Sequence, residues 1–121
     1  MQPGIHLSRE SAIAAAASIS DLRDALNLLA SVPGQLAVTG TPVDPVAELA
    51  GVYKLVGAGT PLPPPTRTGP AMLFKNVKGF TMPVVVGVLA SRERAALLLG
   101  STARRLPFDL LEALENPVAP V

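Results

Sequence analysis

The first clear pattern in the chain is a helical one that begins after residue 20. Apolar residues recur there at spacings of three and four residues, at Leu22, Ala25, Leu26, Leu29 and Val32. This period predicts an amphipathic helix, with Ser20 as its N-cap and Pro33-Gly34 as its end. The preceding residues, 1–18, carry no period beyond a run of alanines, and we expect a frayed helix or a flexible N-terminal segment there.

A second helix is predicted after Asp44-Pro45. The carboxylate is able to accept an orphan backbone N–H, and proline suits the first helical position. The expected buried stripe of this helix consists of Val46, Leu49, Tyr53 and Val56. Gly57 is the expected end of the helix.

Two more helices are predicted near the end of the sequence. Ser91 caps the first of them, which runs through Leu99 and stops at Gly100. The second is short and lies between Pro107 and Asn116-Pro117. Its apolar residues are Leu110, Leu111 and Leu114.

Strand signals occupy the remaining apolar runs. Residues 35–39 alternate in polarity and predict a short strand. Residues 71–76 and 82–89 are β-prone, and the glycine-containing turn between them predicts a hairpin over 71–89. The proline-rich residues 57–70 predict an extended surface loop. We therefore expect one α/β or α+β domain over residues 19–121, in which helices flank a small mixed sheet of about three strands.

Composition indicates a packed domain and argues against two classes of partner. Hydrophobic residues make up 49% of the chain and charged residues 16%. The net charge of +1 and the aromatic content of 3% are unlike those of nucleic-acid-binding proteins. No apolar run approaches the roughly twenty residues of a membrane span, so we expect no membrane partner and a cytoplasmic location.

Candidate catalytic groups are scarce. The chain has no cysteine and one histidine, His6, which lies in the terminal segment. We therefore expect neither a hydrolytic triad nor a thiolate metal site. Glu112 and Glu115 share one helix face, but a solvated face explains them. We assign no catalytic, cofactor-binding or metal-binding residue to this chain.

The segment Ser91-Arg92-Glu93-Arg94 allows two interpretations. A strand meets a helix start there, and free backbone N–H groups with two guanidinium groups are able to hold an anion. A capped helix with a solvated, mixed-charge first turn explains the same residues and is the commoner arrangement.

In order and approximate spacing, several segments resemble the start of UbiD-type decarboxylases, the prenylated-flavin family. They are Ser20-Asp21-Leu22-Arg23-Asp24, Pro42-Val43-Asp44-Pro45, residues 69–79 (GPAMLFKNVKG), Met82-Pro83-Val84-Val85, and Ser91-Arg92-Glu93-Arg94 followed by Leu99-Gly100. The combination is fairly specific, whereas each piece alone is weak. The resemblance covers residues 19–121.

The resemblance implies an N-terminal domain without the family's chemistry. Full-length members decarboxylate aromatic or α,β-unsaturated carboxylic acids with prenylated FMN, a divalent metal and K⁺. Their catalytic and cofactor-binding residues lie in the flavin-binding split-barrel and C-terminal domains, so none transfers onto this sequence. The expected function is a noncatalytic domain or small subunit, inactive alone, that docks on a larger UbiD-type catalytic chain within a hetero- or homo-oligomer. The alternative is a non-enzymatic interaction or regulatory module derived from the same domain.

Two residues depart from the family's pattern. Gly87 stands where asparagine is common, and Lys75 stands where an acidic residue is frequent. Both departures weaken the case for a direct contribution to an active site. For a docking surface, the sequence favours the turn of residues 76–80 and the helix start at Ser91. The candidate partner-interface residues are Asn76, Lys78, Gly79, Phe80, Ser91, Arg92 and Arg94.

Overall fold

Five helices and three strands make up the part of the chain that the structure, a computed structural model, describes, residues 6–58 and 68–120. In chain order they are α1 (Arg9–Ala15, followed by a 3-10 turn at Ala16–Ser18), α2 (Leu22–Ser31), β1 (Leu36–Thr39), α3 (Glu48–Tyr53, continued by a π-helical turn at Lys54–Ala58), β2 (Ala71–Phe74), β3 (Val84–Val86), α4 (Arg92–Leu98) and α5 (Leu106–Glu115). The predicted proline-rich loop lies largely outside the described residues.

The three strands form one mixed sheet in the order β1-β2-β3. β1 and β2 are parallel, with Leu36 opposite Ala71. β2 and β3 are antiparallel, with Phe74 opposite Val84. The small mixed sheet and the hairpin predicted over residues 71–89 are confirmed, although both hairpin strands are shorter than the apolar runs that predicted them.

Two apolar clusters lie on opposite faces of the sheet, because successive side chains of a strand point to opposite sides. The first cluster joins α1, α2 and α4, and its buried members are Ala12, Ala16, Leu28, Leu29, Val32 and Leu97. The second lies between the sheet and α3, and its buried members are Val43, Met72, Phe74 and Val77. The domain thus has two small hydrophobic clusters, one on each face of the sheet.

The alanine-rich segment contributes to the first cluster. Ser8 caps α1 by accepting the Ser11 backbone N–H at 3.2 Å. Ala12 is fully buried, and the Leu7 backbone N–H donates to the Ser31 carbonyl at 3.0 Å. Small alanine side chains allow α1 to approach α2 and α4 closely, so α1 is packed against the rest of the domain.

The predicted N-cap of α2 is wrong by one residue. Asp21 is the N-cap, and its Oδ1 accepts the Asp24 backbone N–H at 2.9 Å. Ser20 instead donates its backbone N–H to Asp24 Oδ2 at 3.0 Å. The predicted stripe also needs correction, because Leu22 is exposed and Leu28 is buried.

Helix α3 begins later than Asp44-Pro45 predicted. Asp44 Oδ1 accepts the Val46 backbone N–H at 2.8 Å in a turn that precedes the helix. Ala47 follows with a φ of 66°, and regular helix starts at Glu48. Val46 is therefore exposed, contrary to prediction, whereas the rest of the predicted stripe, Leu49, Tyr53 and Val56, packs on the second cluster.

The last two helices agree with the sequence. Ser91 caps α4, its Oγ accepting the Arg94 backbone N–H at 3.2 Å. Pro107 lies in the first turn of α5, and Asn116 is its C-cap. None of the helices in residues 6–58 and 68–120 combines the length and apolar character needed to cross a bilayer.

Candidate functional site

The side chain of Arg94 lies inside the domain. Arg94 belongs to the first turn of α4 and is 2% exposed, whereas its neighbours Arg92 and Glu93 face solvent. The cap at Ser91 fixes the direction in which this turn starts. Of the two guanidinium groups that the sequence offered for an anion, one is therefore buried.

The Arg94 guanidinium joins three separate segments of the chain. Its Nε donates to the carbonyl oxygens of Gly87 at 3.1 Å and Val88 at 3.2 Å, just after β3. Nη1 donates to Gln35 Oε1 at 3.2 Å, just before β1. Nη1 and Nη2 both donate to the Gly69 carbonyl, at 3.3 and 3.2 Å, just before β2. One side chain thus ties together the same end of all three strands.

The acceptors found for this guanidinium among the described residues are neutral carbonyl oxygens. Burial lowers the pKa of Arg94 from its ordinary value, and the nearby Tyr53 and Glu93 oppose that change. Arginine remains protonated in proteins, so carbonyl dipoles stabilise a buried positive charge here. The pKa of Glu93 is lowered because its own backbone N–H and the Ser91 hydroxyl donate to the carboxylate.

Two glycines lie against the Tyr53 ring beside this network, and a third, Gly69, lies against the backbone of one of them. A Cβ on Gly57 would lie 2.9 Å from Tyr53 Cε2, and a Cβ on Gly87 would lie 2.5 Å from Cε2 and Cζ. The Gly69 backbone N–H donates to the Gly57 carbonyl at 2.6 Å. We refer to Arg94, Tyr53, Gly57, Gly69 and Gly87 as the Arg94–Tyr53 cluster. A larger residue at Gly57 or Gly87 would overlap the Tyr53 ring, and one at Gly69 would overlap the backbone of Val56 and Gly57.

The geometry favours a structural role for the Arg94–Tyr53 cluster. The guanidinium donors already face protein carbonyls, and α4 has only seven residues. The predicted cap at Ser91 is present, but the first turn is only partly solvated because Arg94 is buried. Since the Arg94 guanidinium already donates to protein carbonyls, this side chain gives no support to the anion interpretation. Sequence reasoning missed Tyr53, Gly57 and Gly69 as one unit, because nothing in their spacing shows that they meet.

The candidate interface residues fall into two groups at opposite ends of the sheet. In the turn after β2, the Asn76 carbonyl accepts the Val43 N–H at 3.1 Å, and the Lys78 N–H donates to the Val43 carbonyl at 3.0 Å. Gly79 follows with a φ of +83°, and Phe80 is 67% exposed. Ser91, Arg92 and Arg94 lie at the other end, where Arg94 meets the starts of β1 and β2.

Exposure differs between the two groups. Asn76, Lys78, Gly79 and Phe80 are exposed, and so is Arg92. Ser91 and Arg94 are buried, so they influence a surface only through the backbone that they hold. The role of the seven candidate residues in an interface stays a prediction. They form two separate patches on the domain.

The described residues offer neither a metal-binding cluster nor a buried cationic side chain that is free of hydrogen bonds to the protein. Residues 6–58 and 68–120 contain no group of three or more His, Cys, Asp or Glu side chains that could hold a metal ion. The one buried cationic side chain described, Arg94, makes its hydrogen bonds to protein carbonyls, which leaves a flavin phosphate without a partner there. We derive no step of a decarboxylation from these residues.

Comparison with known proteins assigns the fold and sequence to a family. The model of the 3-octaprenyl-4-hydroxybenzoate carboxy-lyase N-terminal domain matches residues 29–114, which is most of the chain. The chain belongs to the UbiD family. The resemblance inferred from the sequence segments is thereby confirmed, and the chain is an N-terminal domain of that family.

Several UbiD-family relatives are similar over this domain. Gallate decarboxylase of Lactiplantibacillus plantarum is 45% identical over 101 residues, which is 83% of this chain. The crystal structure of apo 3,4-dihydroxybenzoic acid decarboxylase (AroY) of Klebsiella pneumoniae matches 84% of the chain, with 52% identity and a TM-score of 0.77. The UbiD-class enzyme HmfF of Pelotomaculum thermopropionicum, in complex with prFMN, matches 81% of it, with 32% identity and a TM-score of 0.65.

The relatives are much longer than the region they share with this chain. The match covers 21% of gallate decarboxylase, 21% of the Klebsiella enzyme and 20% of HmfF. The chain therefore spans about a fifth of the length of these UbiD-family proteins.

Proposed function

We propose that this UbiD-family domain is a noncatalytic part of a decarboxylase and docks on a larger chain, or larger region, that carries prenylated FMN and the catalytic residues. The observation that carries the proposal is the match of residues 29–114 to the family's N-terminal domain model, together with relatives of which the shared region makes up only about a fifth. The described residues form a folded scaffold, and no metal-binding cluster occurs among them.

The relatives favour an aromatic acid as the substrate of the whole enzyme. Gallate and 3,4-dihydroxybenzoic acid, which appear in the names of two relatives, are both hydroxylated benzoic acids. These relatives are also the more similar ones, at 45% and 52% identity. We therefore favour a hydroxylated benzoic acid within the wider class of aromatic or α,β-unsaturated acids.

Docking requires exposed groups that are not needed for the fold. Phe80 and Lys78 at the turn after β2, and Arg92 at the start of α4, meet this condition. Aromatic and arginine side chains are enriched among the residues that dominate binding energy. We propose these three side chains as contacts with the catalytic part.

The test is reconstitution of the enzyme with and without this domain. The UbiD-type catalytic polypeptide from the same genome is produced with prenylated FMN, alone or together with this chain, and CO₂ release from 3,4-dihydroxybenzoic acid and gallate is measured. We expect co-purification with this chain and higher activity or a higher melting temperature of the catalytic polypeptide. Unchanged assembly and activity without this domain would refute the proposal, and binding without any effect on activity would indicate a regulatory module instead.

A further inference from the structure

Helix α5 presents an apolar face that the described part of the domain leaves uncovered. None of its ten residues is buried. Leu110 and Leu111 are about half exposed, at 49% and 54%, and Leu114 is 78% exposed. We call Leu110, Leu111 and Leu114 the leucine face of α5.

Within residues 6–58 and 68–120, the contacts that attach α5 to the domain lie at the start of the helix. The Leu106 N–H donates to the Thr102 carbonyl at 2.9 Å, and the Ser101 hydroxyl donates to Asp109 Oδ2. Arg105 Nε donates to Asp109 Oδ1 at 3.1 Å. Beyond Asp109, every residue of α5 is exposed.

A helix held in this way needs a partner for its apolar side. Isolated helices shorter than about 12–15 residues are marginal in water, and most helical stability in proteins comes from packing of an amphipathic face. α5 has ten residues, no side-chain N-cap bond and no basic residue in its last turn. Among the residues that the structure describes, nothing supplies this burial for the leucine face.

The charges on α5 restrict what covers the face. At about 100° per residue, Leu110 and Leu114 lie at the centre of the apolar side and Leu111 lies towards one edge. Asp109 borders one edge, where Ser101 and Arg105 already bind its carboxylate. Glu115 borders the other edge, and Glu112 lies behind. A complementary groove is therefore apolar at its floor and basic along the rim that meets Glu115.

We infer that the leucine face of α5 docks into an apolar, basic-rimmed groove on the catalytic part of a UbiD-type decarboxylase, an inference that rests on the proposed function. The family's N-terminal domain model ends at residue 114, within α5, and about four fifths of each relative lies outside the shared region. The leucine face thus lies where the family's N-terminal domain ends, and the relatives contain a much longer region outside the shared one, which is able to cover such a face. A second copy of this chain fits less well, because two facing α5 helices bring their acidic edges together.

The test compares two charge-introducing variants in the complex with the catalytic polypeptide. Leu110→Lys/Leu114→Lys adds two positive charges to the leucine face, and Val46→Lys adds one positive charge elsewhere, at an aliphatic residue that is as exposed as Leu114. We expect the double variant to weaken association at least about a hundredfold, because buried apolar anchors dominate such interfaces. Val46→Lys is expected to change it less than about threefold. Because these side chains are exposed, the free variants should keep the circular dichroism spectrum and melting temperature of the parent.

Hydrogen exchange supplies a second measurement that does not depend on the variants. Amides of α5 should exchange at least about tenfold more slowly in the complex than in the free chain. Unchanged affinity of the double variant, or unchanged exchange in α5, would overturn the inference while leaving the proposed function standing. A free chain that forms a dimer broken by Leu110→Lys/Leu114→Lys would overturn it in favour of a second copy. Failure of the parent chain to bind at all would instead refute the proposed function.

Discussion

The ring of Tyr53 lies against the backbone of Gly87, where a Cβ would stand 2.5 Å from Cε2 and Cζ. Gly87 also has a φ of +82°, a conformation that side chains rarely adopt. The resemblance to UbiD-type proteins implies asparagine at this position. Asparagine tolerates such a φ, but its Cβ would meet the Tyr53 ring. The contact with Tyr53 therefore favours glycine at residue 87.

Comparison of Gly87→Ala with Gly79→Ala isolates the effect of this contact. Gly79 has almost the same φ, +83°, but nothing lies within 4 Å of the position of its Cβ. We expect Gly79→Ala to lower the free energy of unfolding by about 1 kcal/mol through backbone strain, and Gly87→Ala to lower it by about 3 kcal/mol through strain and overlap. Urea denaturation of both variants measures the difference, and equal losses would contradict the crowding beside Tyr53.

Arg94→Lys is expected to destabilise the domain although it keeps the charge. One ammonium group cannot reach the carbonyls of Gly69 and Gly87 together as the planar guanidinium does. Carbonyl groups left unpaired in the interior each cost about 1–3 kcal/mol, so we expect a loss of about 3 kcal/mol in the free energy of unfolding. Arg92→Lys, at the exposed neighbouring position, is the matched control and should change stability by less than about 0.5 kcal/mol. A stable Arg94→Lys variant would show that the hydrogen bonds of the guanidinium contribute little.

The helix start at Ser91 could be predicted from the sequence, whereas the burial of the Arg94 side chain could not. The pattern Ser91 to Arg94 correctly predicted a capped helix start, because caps depend on residues close in the chain. It could not show that the Arg94 side chain turns inward, since its partners at Gln35 and Gly69 are 59 and 25 residues away. The mixed sheet was predicted, but the choice of β2 as the parallel partner of β1 was not, because this pairing joins strands that are distant in sequence.

The local pattern also misplaced the N-cap of α2, because two adjacent residues, Ser20 and Asp21, are both good N-cap residues. Ser20 was predicted to cap α2, but Asp21 occupies that position and Ser20 binds Asp24 instead. Ala25, Leu29 and Val32 are buried as the periodicity predicted, whereas Leu28 lies in the core and Leu22 outside it.

Acid is expected to loosen the attachment of α5 through Asp109. The Ser101 hydroxyl, and then Arg105, lower the pKa of Asp109. Because the pKa in the folded protein lies below that in the unfolded chain, the ionised carboxylate stabilises the fold above about pH 4, and this contribution is lost as the pH falls through the folded value. Asp109→Asn should therefore lower the denaturation midpoint at pH 7 and reduce its further fall between about pH 4 and pH 2. Glu115→Gln, at the exposed far end of α5, is the control, and an unchanged acid profile in Asp109→Asn would contradict the role of this carboxylate.

Alanine substitutions at Phe80 and Arg92 separate docking from folding. Both side chains are exposed, so we expect each variant to keep the melting temperature within about 2 °C of the parent. Binding to the catalytic polypeptide, measured by calorimetry, should weaken at least about tenfold for a residue that contacts the partner. The control is Val46→Ala, an exposed apolar residue outside both patches. A drop in melting temperature with unchanged binding would assign the tested residue to the fold instead.

The Arg94 network joins segments that a ribosome synthesises at different times. Gln35, Gly69 and Gly87 are synthesised before Arg94, so their carbonyl groups stay hydrated until α4 leaves the ribosome. We therefore expect the fold to gain stability late, after the hairpin has left the exit tunnel. A nascent chain stalled ahead of residue 94 should be cut rapidly by protease, whereas one that has released residues 92–98 should resist.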